Sequence, residues 1–164
     1  MKPKDLLRLP KVIAKAGEWK LVTGRSQMQG NAFPLSRNFS LKLGRNWHWR
    51  VDQASAHDVS FRILVAFNLD IEEYRAWMSM PVGDAHVMVA QLEYHGTHPG
   101  WHAHIACCDI DEVEAGRGHP RSARRLPGGF KKHRRQAFDV TESSALAAAF
   151  NFFRVTGTPG GSML

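Results

Sequence analysis

HVMVAQLEYHGTHPGWHAHIACCD, residues 86–109, decides the fold and carries most of the chemistry of this chain. Two apolar runs flank a Gly- and Pro-containing turn, so the stretch reads as a β-hairpin. It brings together His95, His98, His102 and His104, the Glu93 carboxylate, and the adjacent pair Cys107 and Cys108. Side chains alternate along a strand. His102 and His104 therefore share one face, about 7 Å apart between Cα atoms, and both imidazoles can reach one cation. If Tyr94 pairs with Trp101, Glu93 falls opposite His102 and Gln91 opposite His104. That register gathers two nitrogen ligands and an oxygen ligand, with positions left for water or a phosphate oxygen. A slip of one residue disperses the set. His95 and His98 are read in the turn, able to replace Glu93 as third ligand or to contact substrate. A hydrogen-bonded pair of histidines without metal stays open as the alternative.

Outward from the hairpin, the 164 residues suit one domain with one core. In residues 3–17, Leu6, Leu7, Val12, Ile13 and Ala16 recur at helix-like spacing, interrupted by Pro10, which predicts two short helical turns. Residues 18–37 read as an ordered connection rich in turn formers. Phe39–Leu41–Leu43 and Trp47–Trp49–Val51 alternate around a Gly-Arg-Asn turn and predict a first hairpin, followed by a polar bend at 53–58. Residues 60–69 read as a buried strand. Asp70 is placed to cap a helix in which Ile71, Tyr74, Trp77 and Met78 form the core stripe. A last helix follows Asp139 and Glu142, with Leu146, Ala149, Phe150 and Phe153 on its packing face. The expected fold is α+β: a single domain over 1–164, an antiparallel sheet of about four to five strands, and two to three helices.

The formal net charge of +7 is concentrated. Residues 115–138 hold Arg117, Arg121, Arg124, Arg125, Lys131, Lys132, Arg134 and Arg135 with no acid, which leaves the rest of the chain one negative charge from neutrality. A near-neutral body with one cationic segment is the footprint of a protein that meets a polyanion, DNA or RNA. Gly116, Gly118, Pro120, Pro127, Gly128 and Gly129 make 115–138 read as a mobile loop, and 157–164 reads as a flexible tail. Apolar runs fall far short of the roughly 20 residues needed to span a bilayer. No signal-peptide block opens the chain, and the adjacent cysteines suit a reducing compartment, so the expectation is a cytoplasmic protein with no membrane partner. Both cysteines read as buried small residues, and Asp109 as a strand-end acceptor that orients an imidazole. The sequence leaves the oligomeric state open.

A strand ending in a carboxylate, a short turn, and a strand carrying His-x-His resembles the HUH endonucleases, which include rolling-circle replication initiators, relaxases and related transposases. The resemblance spans VMVAQLEYHGTHPGWHAHIAC. It implies that His102 and His104 form the metal-binding pair and Glu93 the third ligand, polarising the scissile phosphate of single-stranded DNA for a tyrosine on a later helix. No tyrosine follows Tyr94, and the last helix offers Phe150, Phe152 and Phe153 instead. Either water activated by the metal attacks, or the site only binds. His98-Pro99 with Asp109 eleven positions on is similar to part of the JAMM zinc isopeptidase pattern, with Ala106 in the serine position and the leading histidine displaced to His95. The function expected is a metal-dependent nucleic-acid-binding protein acting on phosphodiesters, with His102, His104 and Glu93 catalytic, and those residues with His98 as ligands of a divalent ion (Mn, Mg or Zn). The alternative is a non-catalytic module for nucleic acid or an acidic partner.

Overall fold

The computed structural model describes residues 1–95, 100–119, 124–125 and 138–157. Its body is mixed α+β and mostly sheet. The strands are β1 (Lys11–Lys15), β2 (Lys20–Leu21), β3 (His48–Ala56), β4 (Val59–Asn68), β5 (Glu73–Val82), β6 (Ala85–His95), β7 (Gly100–Ile105), β8 (Arg124–Arg125) and β9 (Val155–Thr156), with helices α1 (Pro3–Arg8) and α2 (Glu142–Phe153). They form one sheet in the order β8-β7-β6-β5-β4-β3-β1-β9, with β2 also pairing β3. All neighbours are antiparallel except β1 and β9, which run parallel. The sheet is thus larger than the four to five strands expected, and it carries one parallel edge.

The largest correction is at β5, where a helix was expected. Tyr74, Ala76 and Met78 enter one core, while Trp77 enters a second core on the opposite face. Because both faces of the sheet are covered, β5 is apolar on both sides. Its true alternation, Tyr-Ala-Met against Arg-Trp-Ser, is masked, and the remaining apolar spacing resembles that of a helix. Glu72, at φ 52°, turns the chain into the strand, and Ile71, expected in the core stripe, is 54% exposed. Pairing with β4 and β6 then outweighs helix propensity.

Three further expectations change for related reasons. Residues 39–43 are not a sheet strand; Ser40 makes only an isolated bridge to Pro34. That region belongs to a strap over the sheet, where Val22, Met28, Phe33, Leu35 and Leu43 pack on Trp47, Trp49, Leu64, Ala66, Trp77 and Met88. The tryptophans at 47 and 49 are buried there and present no stacking platform. The polar bend at 53–58 shrinks to a turn at His57, φ 50°, because the strand runs on to Ala56. The second predicted N-terminal turn is strand β1, since Pro10 ends the helix and Arg154 O accepts from Lys11 N at 2.8 Å.

On the other face, α2 buries Ala145, Ala149 and Phe153 against β4 and β5, and the Tyr74 hydroxyl donates to Ala145 O at 2.9 Å. Its N-cap is Thr141, bonded reciprocally with Ser144, two residues beyond the Asp139 expected. Lys11 locks the two helix ends together. Its ammonium is fully buried and donates to Leu6 O at 2.7 Å, Leu9 O at 2.9 Å and Phe153 O at 2.9 Å, which satisfies carbonyls that helix termini leave open. Between Met78 and Ser79 the pairing of β5 with β6 shifts by one residue, a bulge that leaves Val89 without a partner across the ladder.

Candidate metal centre

The β6–β7 hairpin pairs Tyr94 with Trp101, Glu93 with His102 and Gln91 with His104, which meets the condition that the sequence reading set for gathering the cluster, and it also pairs His95 with Gly100. Tyr94 and Trp101 fix it from behind: their rings sit 5.6 Å apart, with Phe138 stacked on Tyr94 at 5.3 Å. With those aromatics on the helix side, Glu93, His95, His102 and His104 must point to the strap side. They lie beyond the end of the second core, with Arg75 directly across from Glu93 on β5.

The imidazoles converge on one oxygen. Glu93 Oε1 lies 2.5 Å from His102 Nε2, 3.0 Å from His104 Nε2 and 3.4 Å from His95 Nε2, and the two nitrogens of His95 and His102 are 3.2 Å apart. The other carboxylate oxygen accepts from Gln91 Nε2 at 2.8 Å. Glu93 and His102 are each only 8% exposed. Burial pushes the Glu93 carboxyl up, but His102 and then His95 outweigh burial and hold it below the usual carboxylate range.

Glu93, His95 and His102 have the donor types and mutual spacing that could hold a metal ion. Proton sharing among the four groups is crowded, because an Nε2–H on every ring would aim three donors at one oxygen and set the His95 and His102 donors against each other. A cation lets each neutral ring present a lone pair. In a tetrahedral site with bonds of about 2.0–2.1 Å, ligand atoms sit roughly 3.3 Å apart. The separations of 3.2 and 3.4 Å from His95 match that edge, whereas Glu93 Oε1 and His102 Nε2, 2.5 Å apart, stand at hydrogen-bond distance and would have to part to admit an ion; the Glu93, His95 and His102 donor atoms all lie within 4.8 Å of one another. His104 Nε2 lies 3.0 Å from the same carboxylate oxygen but stands outside that three-residue group.

His95 is therefore the last residue of β6 and a direct member of the cluster, not a turn residue. His119 was missed in the sequence. Its ring lies 6.3 Å from that of His104, and burial, partly countered by Glu93, lowers its pKa, with His104 and Arg75 adding to the lowering. The segment carrying it is anchored by Gly116, whose N–H donates to His86 O at 2.9 Å and whose φ of +77° and closeness to Ser36 leave no space for a Cβ. Only the fold shows this, since no spacing rule links residue 119 to the hairpin.

Other candidates separate from the centre. His98 lies outside the described residues, as do Arg121, Lys131, Lys132, Arg134 and Arg135. Arg117 is tied to Glu114 by an ion pair at 2.5 Å. The backbone of Arg124 and Arg125 forms β8 and pairs with Ile105 and His104, which puts these two residues at the sheet edge beside His104. Asp109 is not a strand-end acceptor: β7 stops at Ile105, and Asp109 caps the turn Ile110–Glu112. Cys107 is exposed and Cys108 half-buried, where burial of both was expected, because they follow the strand end. Neither tyrosine reaches the cluster: Tyr74 is fully buried with burial raising its pKa further, and Tyr94 packs on the helix side. No helix among the described residues is long and apolar enough to cross a membrane.

Family models, curated proteins and solved structures give no match to this chain.

Proposed function

We propose that this chain is a metal-dependent nucleic-acid-binding protein that hydrolyses phosphodiesters with water as nucleophile. The observation that carries the reading is the convergence of His95, His102 and His104 on Glu93 Oε1. An imidazole-rich set with one carboxylate suits Zn or Mn far better than Mg, which favours oxygen ligands and keeps its waters. A divalent ion held there would polarise a phosphoryl oxygen and lower the pKa of a bound water. The chain's own part is to hold the ligands rigid on two paired strands, with Gln91 fixing the second carboxylate oxygen. The burial of Tyr74 and the orientation of Tyr94 favour water over a tyrosine nucleophile. The adjacency of β8 to His104 supports delivery of a phosphate backbone by the basic segment.

The test starts with metal content. Purified protein should hold stoichiometric Zn or Mn that chelation removes and that His102→Ala and His104→Ala fail to bind. Metal-reconstituted protein should cleave short single- or double-stranded oligonucleotides, and the variants should not. Absence of stoichiometric metal from wild-type protein under Zn and Mn loading refutes the reading. Salt-sensitive oligonucleotide binding without cleavage under any metal leaves the non-catalytic module, which the eight clustered cations favour.

A further inference from the structure

We infer that a second, separate site for a phosphate group lies at the opposite end of the same sheet face, built on Arg62 and His86. It is remote from the histidine cluster. Strands β5 and β6 run from the Arg75–Glu93 pair to the Pro81–His86 pair, six residues along β5 and so roughly 20 Å.

A cavity of about 270 Å³ opens there, with Gln53, Ser60, Arg62, Pro81 and His86 in its walls and no acidic residue among them. Arg62 is partly buried, donates to Pro34 O and lies 5.0 Å from the centre of the Phe33 ring. No carboxylate among the described residues comes within ion-pairing distance of it. A guanidinium withdrawn from water without a counter-ion is costly, and an anion drawn into the cavity offsets that cost. The polar atoms around it point to the same need. Arg62 Nε, His86 Nδ1 and Ser79 Oγ are buried without a hydrogen-bond partner among the described residues, and Ser79, fully buried, is the direct cross-strand partner of Arg62.

The chemistry selects the ligand class. A planar guanidinium, the Gln53 amide, the Ser60 hydroxyl and an imidazole can all donate, and a tetrahedral oxyanion accepts from several directions at once. Burial, and after it the charge of Arg62, push His86 down to about 4, so at neutral pH this ring adds no second positive charge until an anion arrives. Both Arg62 and His86 are held in place by the strap: Pro34 O accepts from Arg62 and Leu35 O from the His86 amide at 2.8 Å. The phosphate is either the free ion or part of a nucleic-acid backbone.

The test follows the His86 ring signals by NMR in chelator-treated, dialysed protein, so that the metal centre does not contribute. Inorganic phosphate, against chloride of matched ionic strength, should move them saturably and raise the His86 pKa. Arg62→Gln should weaken the effect about tenfold or more, as expected for loss of a charge-assisted bond. Arg62→Lys, which keeps the charge, should weaken it less and covers the case in which the Gln variant misfolds. A short oligonucleotide that produces the same shift and is displaced by phosphate identifies the backbone as the source; response to phosphate alone identifies the free ion. Ring signals in wild-type protein unmoved by both probes, or moved equally in the Lys and Gln variants, overturn the assignment.

Discussion

Replacing Lys11 by Met should cost stability in a way that grows with pH. In the native protein this ammonium is fully buried, with three carbonyl oxygens within 2.9 Å, and burial, assisted by Arg154, lowers its pKa from the ordinary 10.5 to about 8. At about 1.36 kcal/mol per pH unit, that difference of 2.5 amounts to at most about 3.4 kcal/mol held against the folded state while the lysine is charged in both states. Below pH 8 native and unfolded chains both keep the proton, and the penalty is constant. Between about 8 and 10.5 the unfolded chain binds more protons than the native one, so the Lys11 contribution to stability rises with pH. The Met variant has no such proton, but it strands the carbonyls of Leu6, Leu9 and Phe153, at about 1–3 kcal/mol each if they stay dry. Near pH 7 the two effects oppose each other, and the variant should be less stable by a few kcal/mol at most. By pH 10 the deficit should widen by about 2–3 kcal/mol, as the wild type sheds its penalty. Urea unfolding of both proteins from pH 7 to 10 measures this, with the wild-type-minus-variant difference cancelling other titrating groups. A difference that stays flat or shrinks with pH refutes the reasoning.

Two further outcomes bear on the site. Glu93→Gln should abolish metal-dependent thermal stabilisation: at a metal concentration one hundred times Kd the wild type should gain about 2.7 kcal/mol, or roughly 5–10 °C in Tm, while the variant gains nothing resolvable by calorimetry. Tyr74→Phe should cost about 1 kcal/mol through loss of its bond to Ala145 O, yet leave oligonucleotide cleavage unchanged, as should Tyr94→Phe. Loss of cleavage in either, with folding intact, would restore a tyrosine nucleophile.

The hairpin at the centre was legible because its turn is short and its two strands carry matching aromatics, so a local rule reached the Glu93–His102 pairing. Strand β4 was legible from its β-branched and aromatic run, and α2 from its apolar face. Strand β5 was not, since local pattern cannot distinguish a strand buried on both faces from a helix when its partners are distant in sequence. The strap from Val22 to Leu43 had the composition of a connection, and its core role depends on the tryptophans beneath it. His95 reads as a turn residue from its sequence because β6 runs one or two residues further than the apolar pattern. His119 reaches the cluster through a glycine anchored on Ser36 and His86, a contact that exists only in three dimensions.

The bulge between Met78 and Ser79 acts as a phase setter for the whole strap-side face. On β6 before Val89, the strap side is taken by even-numbered residues, His86 and Met88; after it, by odd-numbered ones, Gln91, Glu93 and His95. Both Val89 and Ala90 face the helix-side core at the bulge; were Val89 instead paired in regular alternation, the second half would rotate, sending Glu93 and His95 into the helix-side core and Leu92 and Tyr94 out of it. The proposed phosphate cavity and the histidine cluster therefore share a surface because the bulge absorbs the one residue by which β6 outruns its neighbour. A charged ligand spanning both would be measuring the parity of β6.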